Sequence, residues 1–298
     1  MADKSVTAGY VSAVLSAALF GSVSPIAKPV LSTVNPLLLS CVVYLIAALT
    51  LTPLAHQKKM RLVKKEYLLI LATSISGAVI APILYFYGLQ QTTASNTAVL
   101  ANNEIVFTVL IAIIFFKEKL RPIGYIASVL VATGVTIVTT NLQFSVSLLE
   151  LDLGNLLVIG SSIFWALDNN ISKIVTDRVS SVKIGQLKSA IGGALLLALV
   201  LLLKIPLTIG PLQIPFVILL GVGGFAGSLY FFLRGLKRIG VIKTIMIFAM
   251  SSVFGLIFSS LFLHEQISLY QLVAIIVMMC GIYLINKQGA TKTKPIPP

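Results

Sequence analysis

The chain has 298 residues, 57% of them hydrophobic and 10% charged, with a formal net charge of +13 and a mean hydropathy of +1.02. A soluble domain carries about 25% charged residues, so water is not this chain's only solvent. A basic balance of this size suggests nucleic acid only if the charge is spread without pattern, and here it is not.

A membrane-spanning helix needs roughly 20 mostly apolar residues. Ten such segments follow in chain order, at 7–30, 35–55, 66–89, 93–116, 121–140, 153–174, 186–203, 212–233, 242–263 and 268–286. The first carries only Lys4 ahead of it, with Asp3 alongside. It reads as a retained helix rather than a signal peptide, because its counterpart at 153–174 lies mid-chain. With the N-terminus in the cytoplasm, Lys and Arg fall almost wholly on the inner side. Clusters stand at 58–65, 117–121, 178–188, 234–243 and 287–294, with Lys188 counted at a helix edge. The outer loops hold only Lys204, and Lys28 and Lys173 lie inside spans. This asymmetry is the positive-inside pattern. It predicts ten spans with both termini cytoplasmic, in an inner or plasma membrane, and no nucleic-acid partner.

The segments repeat. Gly9–Lys28 (GYVSAVLSAALFGSVSPIAK) matches Gly154–Lys173 (GNLLVIGSSIFWALDNNISK) at a spacing of 145. Phe107–Leu120 returns as Phe254–Ile267 at a spacing of 147, which sets Glu118 on Glu265, Gly88 on Gly235 and Gly134 on Gly281. Each unit holds five spans. Five is odd, so the second copy enters the membrane from the opposite side. The expected fold is an all-α membrane protein of ten transmembrane helices in two inverted five-helix repeats, 1–145 and 146–288. A polar, Pro-rich tail at 289–298 is expected to be disordered.

The run from Glu104 to Leu120, with Glu118 near its end, resembles the fourth-helix signature of EamA-type domains. Ala18-Leu-Phe-Gly21 with Lys28 is similar to the opening of the same domain. Two such domains make up the drug/metabolite transporter superfamily, and the resemblance covers almost the whole chain. It departs at Ile105, where the family often has Pro, and at Ser251-Ser252, where Glu-Pro would stand. Lys117 and His264 replace a usual Gly before the loop Glu. The resemblance implies export or exchange of amino acids or similar compounds.

Glu104 lies at the centre of its segment. A carboxylate in hydrocarbon costs several kcal/mol, so it must face a cavity or a partner. It is a candidate amine ligand or proton carrier, or a structural hydrogen-bond acceptor with Asn102 and Asn103 beside it. Helical spacing sets Ser161, Trp165, Asp168, Asn169 and Ser172 on one face. That stripe suits the lining of an aqueous cavity or a polar seam between helices. Its counterpart reads Ser16, Phe20, Val23, Ser24 and Ala27, so the acidic end belongs to the second repeat. Lys28, between Pro25 and Pro29, is either a ligand for an acidic substrate group or a snorkelling cation. Lys173 fits snorkelling with Asp177 as its partner. Tyr85 and Tyr87 fit a pathway wall, a packing role or an interfacial belt. Glu118 and Glu265 end helices whose dipoles disfavour them; Lys119 or Arg121, and His264, are the expected partners.

The substrate-site candidates are therefore Ser24, Lys28, Tyr85, Asn103, Glu104, Trp165, Asp168 and Asn169, with Glu104 and Asp168 the candidates for proton coupling. Cys41 and Cys280 read as small buried hydrophobes. Gly221-Val-Gly223-Gly-Phe-Ala226 mimics a dinucleotide motif, but no strand precedes it and helix packing explains it. No phosphate-binding loop, catalytic constellation or metal-ligand spacing stands out. The reading is a secondary transporter of small organic metabolites, with no cofactor, metal or enzymatic activity. The alternatives are a phosphate- or nucleotide-sugar-type exchanger and a non-transporting channel or receptor.

Overall fold

The computed structural model describes residues 2–55, 63–116, 122–140, 152–175, 179–239, 244 and 247–287. Glu118 with its expected partners Lys119 and Arg121, Asp177, most inner-loop lysines and arginines, the linker between the repeats and the tail lie outside the described residues, as does the side chain of Lys173. The described residues are almost all helical and contain no strand.

The ten expected spans are all present. The first is Ala2–Gly21 continued by Val23–Val30, the second Pro36–Leu51, and the third Lys64–Ile75 continued to Gln91. The fourth joins Ala94–Ala101 to Asn103–Phe116, and the fifth is Pro122–Thr140. Leu153–Val175, Ser181–Leu202, Ile214–Ile239, Ser251–Leu263 with the turn before it, and Leu269–Lys287 complete the second set. Among the described residues, Val6–Val30, Lys64–Gln91, Val182–Leu202 and Ile214–Gly235 are long and apolar enough on their own to cross a membrane. Starts are set locally. Asn35 accepts from Leu37 N at 2.9 Å with Pro36 at the first helical position, and Thr93 and Ser180 cap their helices in the same way.

The two repeats interlock rather than sitting side by side. The first span packs on the eighth and ninth, and the sixth packs on the third and fourth. The second pairs with the seventh and the fifth with the tenth. The matched glycines make these crossings close. A Cβ on Gly88 would meet Val158 Cγ2 at 2.8 Å, and one on Gly154 would meet the Thr92 backbone at 2.9 Å. In the other half, Gly235 faces Ala13, and a Cβ on Gly9 would meet Arg238 Cβ at 2.8 Å. Each repeat's first helix is therefore pressed on the other repeat's third, through residues that correspond under the duplication. Small residues at such crossings let backbones approach where lipid offers no hydrophobic drive between helices.

Irregular backbone also comes in pairs. The third span carries a π-helical stretch at Ser76–Ile80 and the eighth carries one at Leu220–Gly227. The fourth span breaks at Asn102 and the ninth turns at Ala249–Met250. The two breaks touch: Asn102 Nδ2 donates to Ala249 O at 2.7 Å and also to Ser252 Oγ, and Asn102 Oδ1 accepts from Ser251 Oγ at 3.1 Å. Ser251 and Ser252, a departure from the family pattern, are thus the partners of the break in the other repeat. Cys41 is buried, but Cys280 is exposed on the tenth span, which corrects the reading of both as buried. The tenth span covers the fifth with one face and leaves Leu269, Leu272 and Ile276 exposed on the other.

Candidate substrate cavity

A cavity of about 410 Å³ opens between the two sets of spans. Its lining runs from the middle of the bundle to Leu51, the last residue of the second span, and to Leu229 and Phe232 in the second half of the eighth. It therefore reaches toward the end of the bundle where the first span begins. Phe20, Tyr44, Trp165, Phe225, Phe232 and Phe248 form an aromatic wall, and Glu104, Asp168 and Lys188 supply its charges.

Phe20 and Trp165, matched positions of the two repeats, meet edge to face with centroids 6.3 Å apart. The Trp165 indole donates to Gly77 O at 3.0 Å, and the Tyr44 hydroxyl donates to the same oxygen at 2.8 Å. Gly77 lies in the first π-helical stretch, whose wider turn leaves that carbonyl available. Single-turn π segments of this kind are frequent at functional sites. The bonds fix two aromatic rings of the wall and satisfy both of their polar atoms.

Glu104 stands in the first turn of Asn103–Phe116, where a helix N-terminus favours a carboxylate. Its Oε1 accepts from Asn169 Nδ2 at 2.6 Å. Asp168 is buried, forms an ion pair with Lys188, and accepts from Ser172 Oγ at 3.0 Å. Among the described lining residues one negative charge is left uncompensated, so the cavity suits a cation or a proton.

Of the stripe read on the sixth span, Trp165, Asp168 and Asn169 line the cavity, while Ser172 stands outside the lining and donates to Asp168. Ser161 is outside it too, as its hydroxyl bonds back to Val158 O. Of the two asparagines, Asn102 faces the cavity. Asn103, one residue and about 100° further round the helix, is buried outside it, and neither of its amide atoms has a partner among the described residues. Tyr85 stands behind Trp165 with centroids 5.3 Å apart. Tyr85 and Ser24 line a separate void of about 10 Å³, barely the room of one water.

Lys28 is outside the lining. Its ammonium donates to Leu89 O at 2.8 Å, Gln90 O at 3.0 Å and Thr92 O at 2.6 Å, at the end of the third span. Glu265 faces not His264 but the start of the fourth span, accepting from Ala94 N and Ser95 N at 2.9 Å each and from Ser95 Oγ. The turn between the third and fourth spans is thereby clasped from both sides. A cation holds the orphan carbonyls of one helix, and an anion holds the orphan amides of the next.

Lys188 is the residue that the sequence reading misplaced. Near the start of an apolar segment it reads as a cation at the helix edge, whereas it lies well inside Ser181–Leu202 and points at Asp168. The signal was a buried acid on the sixth span that needed a cation from elsewhere in the bundle.

A model of the EamA-like transporter family matches the chain twice, over residues 7–140 and 152–287. An uncharacterized transporter of Methanothermobacter thermautotrophicus is 29% identical over 297 aligned positions, covering 94% of this chain and 87% of that protein. An uncharacterized transporter of Synechocystis sp. is 29% identical over 80 positions, 27% of this chain and 23% of that one. A solved crystal structure at 16% identity superposes with a TM-score of 0.67, covering 96% of this chain and 98% of the other, which bears on the fold. With both repeats matched over most of the chain, it belongs to the EamA-like transporter family.

Proposed function

We propose that the protein is a secondary transporter, an exporter or exchanger, of small organic metabolites that carry an amine, amino acids among them. The observation that supports this reading is the placing of Glu104 and Asp168 in one aromatic-walled cavity beside the paired breaks of the fourth and ninth spans. Broken helices at the midplane between inverted repeats are where transporters of this build hold substrate. Glu104 and Asp168 receive the amine or exchange a proton for it, while Trp165, Asn169 and Asn102 shape the pocket. A sugar-phosphate substrate would need several free cations, and Lys28 and Lys188 are both engaged.

The interlocked packing favours motion of two mixed bundles over motion of whole repeats. One bundle is built on the first and eighth spans and the other on the third and sixth, with the fourth and ninth meeting between them. In the proposed setting, an inner or plasma membrane with cytoplasmic termini, the cavity opens inward and the Lys28–Glu265 clasp closes the outside.

The test is uptake and efflux in proteoliposomes against a panel of amino acids and amines, with and without a pH gradient. Saturable transport of a subset is expected. If both Glu104→Gln and Asp168→Asn leave that transport and its pH dependence intact, the assignment of these charges is wrong.

A further inference from the structure

We propose that Lys188 is a specificity-determining residue, an internal cation that occupies Asp168 in the empty cavity and turns to the substrate's carboxylate when an amine takes its place. The inference rests on the cavity being the substrate site, and it narrows that site's ligand to a zwitterion with an apolar body.

Asp168 and Lys188 come from different helices, the sixth and seventh spans, and both line the cavity. The Asp168 side chain is 2% exposed and that of Lys188 is 20% exposed. The carboxylate is therefore fixed and the ammonium is the movable partner. Ser172 also holds Asp168 in place, whereas Asp168 is the acceptor that the structure gives the Lys188 ammonium. A lysine carries a compact charge on a flexible stem, so a small movement of that stem frees Asp168 without unfolding anything. An incoming ammonium replaces the lysine at Asp168 like for like. The released Lys188 then needs an anion, because an unpaired cation in this setting is costly, and the other cavity carboxylate, Glu104, already accepts from Asn169. A substrate that brings its own carboxylate supplies that anion. A plain amine displaces Lys188 and leaves it only Glu104, which Asn169 already holds; a plain acid finds Lys188 already taken. Selection for the zwitterion follows from the exchange of partners rather than from shape.

Trp165 is the one tryptophan of the chain and lies in the cavity wall, so its fluorescence reports occupancy independently of transport. The probes are leucine, isoamylamine, which lacks the carboxylate, and 4-methylpentanoate, which lacks the amine. For the intact protein in detergent or liposomes, leucine is expected to bind at least about tenfold more tightly than either fragment, which corresponds to about 1.4 kcal/mol. In Lys188→Gln the advantage of leucine over isoamylamine should collapse, while isoamylamine itself binds as well or better. Lys188→Arg keeps the charge and should keep much of the preference. The variant Lys188→Met with Asp168→Asn removes the pair without leaving a lone charge, so it shows whether losses arise from misfolding. If Lys188→Gln weakens leucine and isoamylamine by the same factor, Lys188 only supports the fold and the inference is overturned. If none of the probes alters Trp165 emission in the unmodified protein, the cavity reading itself fails and the inference falls with it.

Discussion

Gly77 lies directly against the carboxylate of Asp168: a Cβ built on Gly77 would overlap Oδ2. The same contact recurs in the other half with its chemistry removed. Gly224, 147 residues on, faces Val23, whose counterpart at a spacing of 145 is Asp168, and a Cβ there would meet Val23 Cγ2 at 2.7 Å. Both glycines sit in π-helical stretches. One scaffold contact has thus been used twice, once to seat a cavity acid and once to pack a valine.

The Asp168 side of this contact should tolerate no added atom. In Gly77→Ala the methyl displaces the carboxylate and disturbs the carbonyl that holds Tyr44 and Trp165. Overpacking of this kind costs about 1–3 kcal/mol of stability, and with the cavity acid displaced a clear fall in transport is expected. Gly224→Ala meets only a valine methyl group and should reduce transport less. Comparing initial rates of the two variants in proteoliposomes checks the asymmetry; equal losses would show that both glycines serve packing alone.

The two cavity acids should respond differently to neutralisation. Glu104→Gln keeps an oxygen for Asn169 and removes a charge without orphaning a cation. Stability should hold or rise, while amine affinity falls by about 1.5–3 kcal/mol, the worth of a charge-assisted hydrogen bond. Asp168→Asn strands Lys188, and breaking a buried pair costs about 3–5 kcal/mol. The partial exposure of Lys188 to the cavity places the expected loss at the low end. Thermal denaturation in detergent beside binding curves separates the effects. Greater destabilisation by Glu104→Gln than by Asp168→Asn would contradict the pairing.

Much of this arrangement is legible in the sequence, and the parts that are not share a cause. Ten spans, their inverted duplication and the Trp165–Asp168–Asn169 stripe follow from hydropathy, spacing and helical periodicity, all of which are local. The Asp168–Lys188 pair joins two helices, and no periodicity within either one names its partner. Asn102 and Asn103 differ only in phase, which depends on where the helix breaks. Lys28 carries the charge of a ligand, yet its position beside the end of the third span gives it three carbonyls first.

The clasp at the turn between the third and fourth spans can be loosened or tightened by single changes. Glu265→Gln and Lys28→Met each remove a charge from a helix end, at an expected cost of about 1–2 kcal/mol. His264 precedes the clasp with φ of 55°, in the left-handed region. A glycine there should relieve about 1 kcal/mol of backbone strain and help present Glu265. His264→Gly is therefore expected to raise the melting midpoint, and the two charge variants to lower it. If His264→Gly lowers the midpoint, the imidazole makes a contact worth more than the strain.

Alternating exposure of the two ends of the pathway separates a transporter from a channel. Asn169 lines the open cavity, while Ser24 lies beyond its closed end with Tyr85. In a background with Cys41→Ala and Cys280→Ala, Asn169→Cys should react with an impermeant thiol reagent from the inner side. Ser24→Cys should be protected in that state and become reactive from the outer side when substrate drives turnover. On a single alternating pathway, protection of one position should rise as the other is exposed. Simultaneous reactivity of both, independent of substrate, would indicate a continuous pore. In that case the Lys28–Glu265 clasp serves only to cap helices, and it would remain closed throughout.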